Sequence, residues 1–245
     1  MINKKFFGVG GIAQVGEPPI TYPVSFSSTS TTFSRQLSNM YGLSFHPTDG
    51  YLYTIERDGN TGNFYFIKRN ATTGAYISTS SSSIGTGQIY GCAITSDGSF
   101  WVIQRSTSSK LRKYNSSGVY QNFEFSVTGY YANSVVCDNN DILYVTREGS
   151  TVIYTYNTSG VGQGNFGFGN AAHQVLMHAD GALNRGGNGN YVYVRDIAAA
   201  TNVSPWNMPT NNALSLGSDY SPTLGFAWII GVGNGTQAGK FTPNF

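Results

Sequence analysis

Residues 51–57 read YLYTIER, and this short apolar run that closes on an arginine returns three more times along the chain. The later copies are SFWVIQR (residues 99–105), DILYVTR (141–147) and NYVYVR (190–195). Their closing residues are Arg57, Arg105, Arg147 and Arg195, at intervals of 48, 42 and 48 residues. A supersecondary unit that repeats at roughly 40 to 50 residues is typical of β-propellers and stacked arrays. The repeat therefore predicts the fold before any local propensity is considered.

Each unit opens with a half-buried run, such as residues 41–45, that ends at a tight turn. Asp-Gly and Asn-rich pairs tolerate the positive φ that tight hairpins require, so each turn joins two antiparallel strands. The arginine-closed run is the second strand, and its apolar character is typical of a strand covered on both faces. In the fourth unit this second strand is predicted at residues 191–194, after a hairpin enlarged by residues 184–190. The turns are Asp49-Gly50, Asp97-Gly98, Asn139-Asn140 and Asp180-Gly181.

A third strand, a second recurring turn and a weaker fourth strand complete the unit. Four antiparallel strands connected in chain order make one blade of a β-propeller. The motif resembles the blades of NHL-repeat and gluconolactonase-like proteins, and this resemblance implies a propeller without specifying an activity. The glycine-rich residues 162–167 are predicted to be a loop. The second turns are Asn70-Ala-Thr-Thr-Gly74, Asn115-Ser-Ser-Gly118 and Asn157-Thr-Ser-Gly160.

The fold is therefore predicted to be all-β, a β-propeller-like array of four-stranded antiparallel blades. Residues 41–205 supply about four full repeats. The tail from Asn212 onward, with residues 21–33, is predicted to supply a fifth, composite blade. An all-β body of 245 residues commonly forms one domain. We divide the chain into an N-terminal docking arm with a candidate closing strand (1–33) and a propeller body (34–245).

Composition excludes two classes of partner. Charged residues make up 11% of the chain and the formal net charge is +2, so there is no concentrated basic stripe for a nucleic acid. No stretch approaches the roughly 20 apolar residues of a membrane-spanning helix. We therefore expect neither a nucleic-acid partner nor a membrane span.

The two cysteines, Cys92 and Cys137, fall in corresponding first strands of neighbouring repeats. Their spacing in the repeat is compatible with side chains on the same side, which would permit a disulfide. The alternative is that both are small buried hydrophobic residues, which is the commoner role of a free cysteine. The sequence leaves both open.

The N-terminal segment differs in character from the repeats. A basic start followed by apolar residues is the outline of a signal peptide, but Gly8, Gly10 and Gly11 interrupt its short apolar stretch and weaken a helix there. The segment resembles a lysine-aromatic-GVGG element found in structural proteins of tailed bacteriophages. The residues that carry this resemblance are Lys4, Lys5, Phe6, Phe7, Gly8, Val9, Gly10, Gly11, Ile12 and Ala13.

The resemblance implies a virion protein that is not an enzyme: a head decoration, tail or spike subunit, oligomeric in its assembly. Its arm would bind other virion proteins, and its body would contact subunits or a host-surface glycan or protein. Two alternatives remain open. One is a secreted propeller hydrolase of the lactonase or esterase type, and the other is a glycan-binding lectin.

The repeated arginines are the candidate ligand-binding residues. Equivalent positions in a propeller surround its axis, so Arg57, Arg105, Arg147 and Arg195 could form a cationic ring for carboxylate or phosphate groups. The alternative is that each arginine ends its strand by pairing with a carboxylate or carbonyl of its own or the next blade. Neighbouring carboxylates for this second role are Glu56, Asp58, Glu148 and Asp196.

No other residue pattern indicates catalysis, a metal or a cofactor. Asp49, Asp97 and Asp180 precede glycine in hairpins, where turn geometry alone explains an aspartate. The three histidines fall in no metal-binding pattern. We expect no catalytic residues, no metal site and no cofactor. The histidines are His46, His173 and His178.

Overall fold

The computed structural model describes residues 25–129, 131–167, 174–177, 182–186, 191–196, 201–207, 217–221, 224, 226–232 and 237–244. Within these residues all regular secondary structure is β-strand, and twenty strands form five four-stranded antiparallel sheets. The predicted all-β propeller is confirmed. In the same part of the chain there is no helix long and apolar enough to cross a membrane.

Four sheets, which we call blades 1 to 4, are each made of four consecutive strands paired in chain order. The strands of blade 1 are β2 (Asn39–Phe45), β3 (Tyr51–Arg57), β4 (Phe64–Asn70) and β5 (Tyr76–Thr79). Those of blade 2 are β6 (Gln88–Ile94), β7 (Phe100–Arg105), β8 (Ser109–Tyr114) and β9 (Tyr120–Ser126). Those of blade 3 are β10 (Ala132–Cys137), β11 (Leu143–Arg147), β12 (Val152–Tyr156) and β13 (Gly162–Gly167). Those of blade 4 are β14 (Gln174–Met177), β15 (Ala182–Gly186), β16 (Tyr191–Asp196) and β17 (Thr201–Asn207).

The fifth sheet is the composite blade, and it closes the ring within one chain. Its order is β1-β20-β19-β18, so an N-terminal strand is outermost and pairs with the C-terminal strand. The first strands of blades 1 to 4 contact one another in blade order. Strand β18 of the composite blade contacts both β14 and β2, which completes the ring. The predicted composite of tail and N-terminal strand is thus confirmed. Its strands are β1 (Ser25–Ser34), β18 (Gly217–Ser221), β19 (Phe226–Val232) and β20 (Gln237–Asn244).

Two local predictions were wrong. In blade 4 the second strand is β15, and the arginine-closed run forms the third strand, β16. In blade 3 residues 162–167 form β13 and not a loop. Both strands lack a long apolar run, and β13 is the outermost strand of its blade, with five of its six residues exposed. An outer strand needs little apolar sequence because one edge and much of its surface face solvent.

The turns between the first two strands lie at one end of the propeller, and the turns that follow the second strands lie at the other. Phe45 ends β2 and its ring lies 6.0 Å from that of Phe226, which pairs with Ser221 at the end of β18. The inner strands therefore run in the same direction. We call the end with residues 46–50, 95–99 and 138–142 the hairpin face. The opposite end, with residues 58–63, 106–108 and 148–151, is the arginine face.

The core lies between neighbouring blades. The second strands of blades 1 to 3 are almost wholly buried, as their continuous apolar sequence predicts. Each apolar side chain buried there contributes about 1.5 to 3 kcal/mol to folding. Trp101 lies in the cluster between blades 2 and 3, and Trp228 in the cluster between the composite blade and blade 1. Both indole rings are fully buried.

Inner strands approach each other so closely that glycine is required at two positions. A Cβ at Gly42 would lie 2.8 Å from the Cα of Gly91, and one at Gly91 would lie 3.2 Å from the Cα of Ser134. Gly91 also has a φ of 61°. The hairpin glycines Gly50 and Gly98 have φ values of 71° and 77°, as their turns predict.

Neither cysteine is in a disulfide: Cys92 is buried in the core between blades 1 and 2, and Cys137 is half-buried against the next core cluster. The second alternative, two packed small hydrophobic residues, therefore holds. The arm element from Lys4 to Ala13 and the turn Asp180-Gly181 lie outside the described residues.

Candidate functional site

Three of the four repeated arginines lie on the arginine face. Arg57, Arg105 and Arg147 end the second strands of blades 1, 2 and 3. They pair across the sheet with the first residues of the inner strands: Arg57 with Asn39, and Arg105 with Gln88. Positions at the start of the inner strands surround the mouth of the central channel.

Arg195 lies at the other end of the molecule. Because β16 is the third strand of its blade, Arg195 pairs with Leu183, and Leu183 pairs with Met177 at the end of the inner strand β14. This places Arg195 at the level of the hairpin face. The four arginines therefore do not form one ring, because an extra short strand precedes the last of them.

The guanidinium of Arg105 lies at the junction between blades 2 and 3 and binds acceptors there. Arg105 is 8% exposed. Its Nε donates to the carbonyl of Ala132 at 2.6 Å, and its Nη2 donates to the carbonyl of Tyr131 at 3.0 Å and to Asn133 Oδ1 at 3.1 Å. Its Nη1 donates to Glu148 Oε2 at 3.2 Å. Arg105 thus follows the second of the two predicted roles, a strand-end partner of the next blade.

The other two arginines on this face are in different environments. Arg147 is half-buried, donates from Nη1 to the carbonyl of Thr128 at 3.1 Å, and lies 4.8 Å over the ring of Tyr154. Arg57 is exposed and makes no side-chain hydrogen bond to the residues that the structure describes. That Arg57 and Arg147 bind an anionic ligand stays a prediction.

Tyr131 is the conformational outlier of the arginine face. Its φ is 62°, in the left-handed region that a bulky residue adopts at a cost of about 1 to 2 kcal/mol. Two donors fix its carbonyl: Arg105 Nη2 at 3.0 Å and the backbone N–H of Glu148 at 2.9 Å. Tyr131 is 61% exposed, the most exposed large apolar or aromatic residue of those described. Strain of this kind concentrates at functional sites.

We define the Arg105 cluster as Tyr90, Arg105, Tyr131, Asn133 and Glu148. The guanidinium lies 4.0 Å from the ring centre of Tyr90 and 5.6 Å from that of Tyr131, so two tyrosines flank it. The Glu148 side chain is 56% exposed. The cluster therefore presents an aromatic ring and a carboxylate to solvent, both held by a buried cation.

The sequence gives little indication of this cluster. Glu148 was named as a candidate partner because it follows Arg147, but it pairs with Arg105 of the preceding blade. Tyr131 and Asn133 flank the first residue of an inner strand and belong to no motif. The usable signal is that aligned inner strands carry Tyr41, Tyr90 and Asn133 at one position, all half-buried.

The hairpin aspartates have structural roles. Asp49 accepts the backbone N–H of Tyr51 at 2.9 Å and the hydroxyl of Tyr53 at 2.8 Å. In blade 3 Asp138 does the same for Ile142 and Tyr144, at 2.8 Å and 3.0 Å.

Asp97 accepts from Thr95 and Ser99, and these bonds together with Lys113 hold the pKa of its carboxyl far below its usual range despite burial. The hydrogen bonds of Asp49 and Asp97 agree with the expectation that turn geometry explains an aspartate before glycine.

His46 is a packed, neutral side chain at the junction of blades 1 and 2. Its Nδ1 accepts the backbone N–H of Asp49 at 3.2 Å, which requires an unprotonated Nδ1. Burial lowers its pKa, and the Asp49 carboxylate only partly opposes this. His173 and His178 lie outside the described residues. Among those described, no group of three or more His, Cys, Asp or Glu side chains could hold a metal ion.

Comparisons with known proteins support the fold. No protein-family model matches the chain, and no curated protein matches it. A glutaminyl cyclase from Myxococcus xanthus is similar in structure, with a TM-score of 0.69 over 91% of this chain and 98% of that one, at 12% identity. A protein of unknown function from Bacteroides caccae has a TM-score of 0.54 over 78% of this chain and 70% of that one, at 10% identity.

The comparisons correct one expectation and leave another without support. The expectation that the chain is not an enzyme is contradicted, because a protein with this fold over nearly its whole length is a glutaminyl cyclase. The propeller part of the resemblance is supported. The bacteriophage and NHL-repeat parts receive no sequence-level support.

Proposed function

We propose that this chain is a structural protein of a tailed-bacteriophage particle, a head decoration, tail or spike subunit. In this proposal residues 1–20 attach the propeller to neighbouring virion proteins, and the propeller binds the host surface. The arm motivates the attachment, since Lys4–Ala13 resembles an element of phage structural proteins.

One observation about the two ends of the propeller carries the proposal. Ser25 begins the outermost strand of the composite blade and pairs there with Asn244. β1 runs opposite to β20, so Ser25 lies at the level of the hairpin face. The Arg105 cluster lies on the arginine face, close to the axis. A body held from the hairpin-face edge leaves the opposite face open to a ligand.

The strand that ties the arm to the body is firmly held. At the end of β1, Phe33 packs at 4.8 Å against Trp228 and lies under the guanidinium of Arg69 at 4.4 Å. The next residues, Gln36 and Leu37, donate their backbone N–H groups to the buried carboxylate of Glu56, at 2.6 Å and 2.8 Å. The end of β1 is therefore fixed to the core of blade 1.

Co-sedimentation tests the attachment. Full-length protein and a variant lacking residues 1–20 are each mixed with purified particles of the phage that encodes the protein. The variant keeps all of β1, so its propeller closes normally. We expect only the full-length protein to sediment with the particles. Equal sedimentation of both, or of neither, would overturn the proposed attachment.

Structural similarity favours a second candidate function, glutaminyl cyclase activity. The similarity extends over almost the whole of both chains, and the cluster offers an exposed carboxylate, Glu148, for proton transfer beside aromatic rings. The test is ammonia release from a peptide with an N-terminal glutamine. Activity that Glu148→Gln removes would support this candidate, and no ammonia from the full-length protein would eliminate it.

A further inference from the structure

We infer that the Arg105 cluster is a binding site for a neutral pyranose sugar. In this site the ring of Tyr131 stacks on the apolar face of the sugar, and the carboxylate of Glu148 accepts hydrogen bonds from its hydroxyl groups. The inference rests on the proposed function, because it names the chemical class of the host-surface ligand.

The ring of Tyr131 has the exposure and the support that a stacking platform needs. The residue is 61% exposed, while its backbone carbonyl is fixed by Arg105 Nη2 and by the N–H of Glu148. A tyrosine offers a large amphipathic surface with only two rotatable side-chain bonds, so little entropy is lost when a ligand stacks on it. These two hydrogen bonds hold the left-handed backbone in place despite its cost, so the point from which the ring projects is fixed.

The carboxylate of Glu148 is positioned but not buried. Arg105 Nη1 holds Oε2 at 3.2 Å, and the side chain remains 56% exposed. A carboxylate accepts through both oxygens, so one can bond the guanidinium while the other accepts from hydroxyl groups. Charge-assisted bonds of this kind are stronger than bonds between neutral groups.

The charge of the cluster selects the class of sugar. Arg105 and Glu148 are oppositely charged and in contact, so the cluster carries no net charge. The Arg105 side chain is 6% exposed and its hydrogen bonds go to the protein, so it cannot bind a carboxylate or phosphate of a ligand. An acidic sugar would meet the exposed carboxylate of Glu148. The site therefore favours a neutral pyranose over an acidic one.

Ligand-observed NMR with the full-length protein tests the inference. The probes are the methyl pyranosides of glucose, galactose, mannose and N-acetylglucosamine, with the methyl pyranoside of glucuronic acid as the acidic probe. We expect saturation transfer from the protein to at least one neutral pyranoside and a weaker effect for the glucuronic acid probe. No transfer to any neutral probe, or transfer to the acidic probe alone, would overturn the inference.

Four variants separate binding from folding. Tyr131→Gly removes the ring and relieves the backbone strain, so binding should fall at least tenfold while the protein stays folded. Tyr131→Phe keeps the ring and should bind within about threefold of the parent. Glu148→Gln should weaken binding about tenfold. Tyr76→Ala removes another exposed tyrosine, 47% exposed on the outer strand of blade 1, and should change nothing.

Outcomes for the site and for the proposed function are distinct. Unchanged binding by Tyr131→Gly, or an equal loss in Tyr76→Ala, would overturn the site. Binding of a peptide probe at Tyr131 with no sugar binding would replace the sugar with a protein ligand and also overturn it. Virion attachment is measured separately by co-sedimentation, which does not depend on sugar binding.

Discussion

Two junctions in this propeller use the same chemical groups, an arginine, a glutamate and an aromatic ring, in opposite ways. Between the composite blade and blade 1, Arg69 and Glu56 are 1% and 0% exposed and 2.5 Å apart. Arg69 also donates to the hydroxyl of Thr54 and to the carbonyl of Gly74, and Phe33 covers it. All of these groups are enclosed.

Between blades 2 and 3, Arg105 is buried but its partners are not. The Glu148 side chain is 56% exposed, and Tyr131 as a whole residue is 61% exposed. The first junction closes the propeller where its N-terminal strand joins blade 1. The second junction holds an aromatic ring and a carboxylate at the solvent boundary. Exposure of the partners, and not the arginine itself, distinguishes a structural contact from a candidate site.

The largest expected effect is at the enclosed junction. Glu56→Gln leaves the buried charge of Arg69 without its counter-ion, so the free energy of unfolding should fall by about 3 to 5 kcal/mol. Equilibrium denaturation in urea measures it. The double variant Glu56→Met with Arg69→Leu should lose less, because no unpaired charge remains. A loss below about 1 kcal/mol in Glu56→Gln would show that the two junctions are energetically alike.

Arg105→Met comes next, with an expected loss of about 2 to 3 kcal/mol in the free energy of unfolding. Four hydrogen bonds disappear, but Glu148 stays hydrated and no charge is left buried. Arg105→Lys should rescue little, because an ammonium cannot reproduce the planar fork. A loss in Arg105→Met larger than that in Glu56→Gln would reverse the ranking of the junctions.

His46 provides a pH-dependent contrast within the core. Its pKa is lowered in the folded protein by burial, so the unfolded chain binds the proton more readily. Stability from this group is therefore complete above the ordinary pKa and is lost as pH falls from about 6.5. The slope cannot exceed about 1.4 kcal/mol per pH unit. Urea unfolding between pH 7 and 5 should show a smaller slope in His46→Gln, and an unchanged slope would contradict this assignment.

Tyr131→Gly should leave the free energy of unfolding unchanged or raise it by up to about 1 kcal/mol. Glycine adopts the φ of 62° without strain, and this gain offsets the lost contact with Arg105. Thermal and urea unfolding measure it against Tyr131→Phe, which keeps both strain and ring. A loss above about 1 kcal/mol would mean that the ring has a structural role.

The smallest losses are expected at the exposed charges of the arginine face. For Glu148→Gln we expect a loss below about 1 kcal/mol, because an exposed ion pair contributes little. The same substitution at Glu56 is its matched counterpart. Arg57→Ala should fall within about 0.5 kcal/mol of the parent, since Arg57 is exposed. A loss of about 3 kcal/mol in Glu148→Gln would remove the distinction on which the candidate site rests.

The blades could be predicted from sequence because their turns and apolar strands follow local rules. Asp49-Gly50 and the run of β3 each specify their structure within a few residues. The composite blade could also be predicted, since the tail alone lacks an outer strand. Strands β13 and β15 could not, because their residues carry no apolar pattern.

The candidate site was harder to predict, because it depends on contacts between blades. Arg105 and Glu148 are 43 residues apart and meet only when blades 2 and 3 pack together. The repeated arginines aligned Arg195 with Arg57 in sequence, yet strand order places the two at opposite faces. A positive φ at Tyr131 has no sequence signal, since tyrosine rarely adopts it.

Thiol labelling on assembled particles tests the central claim, that the propeller is attached from its hairpin-face edge and open at its arginine face. The positions are Thr107→Cys on the arginine face and Thr48→Cys on the hairpin face, both exposed. Background from the native cysteines is measured in the parent protein. We predict that particle-bound protein labels at position 107 as fast as free protein, and more slowly at position 48. Protection at position 107 with free labelling at position 48 would contradict the account.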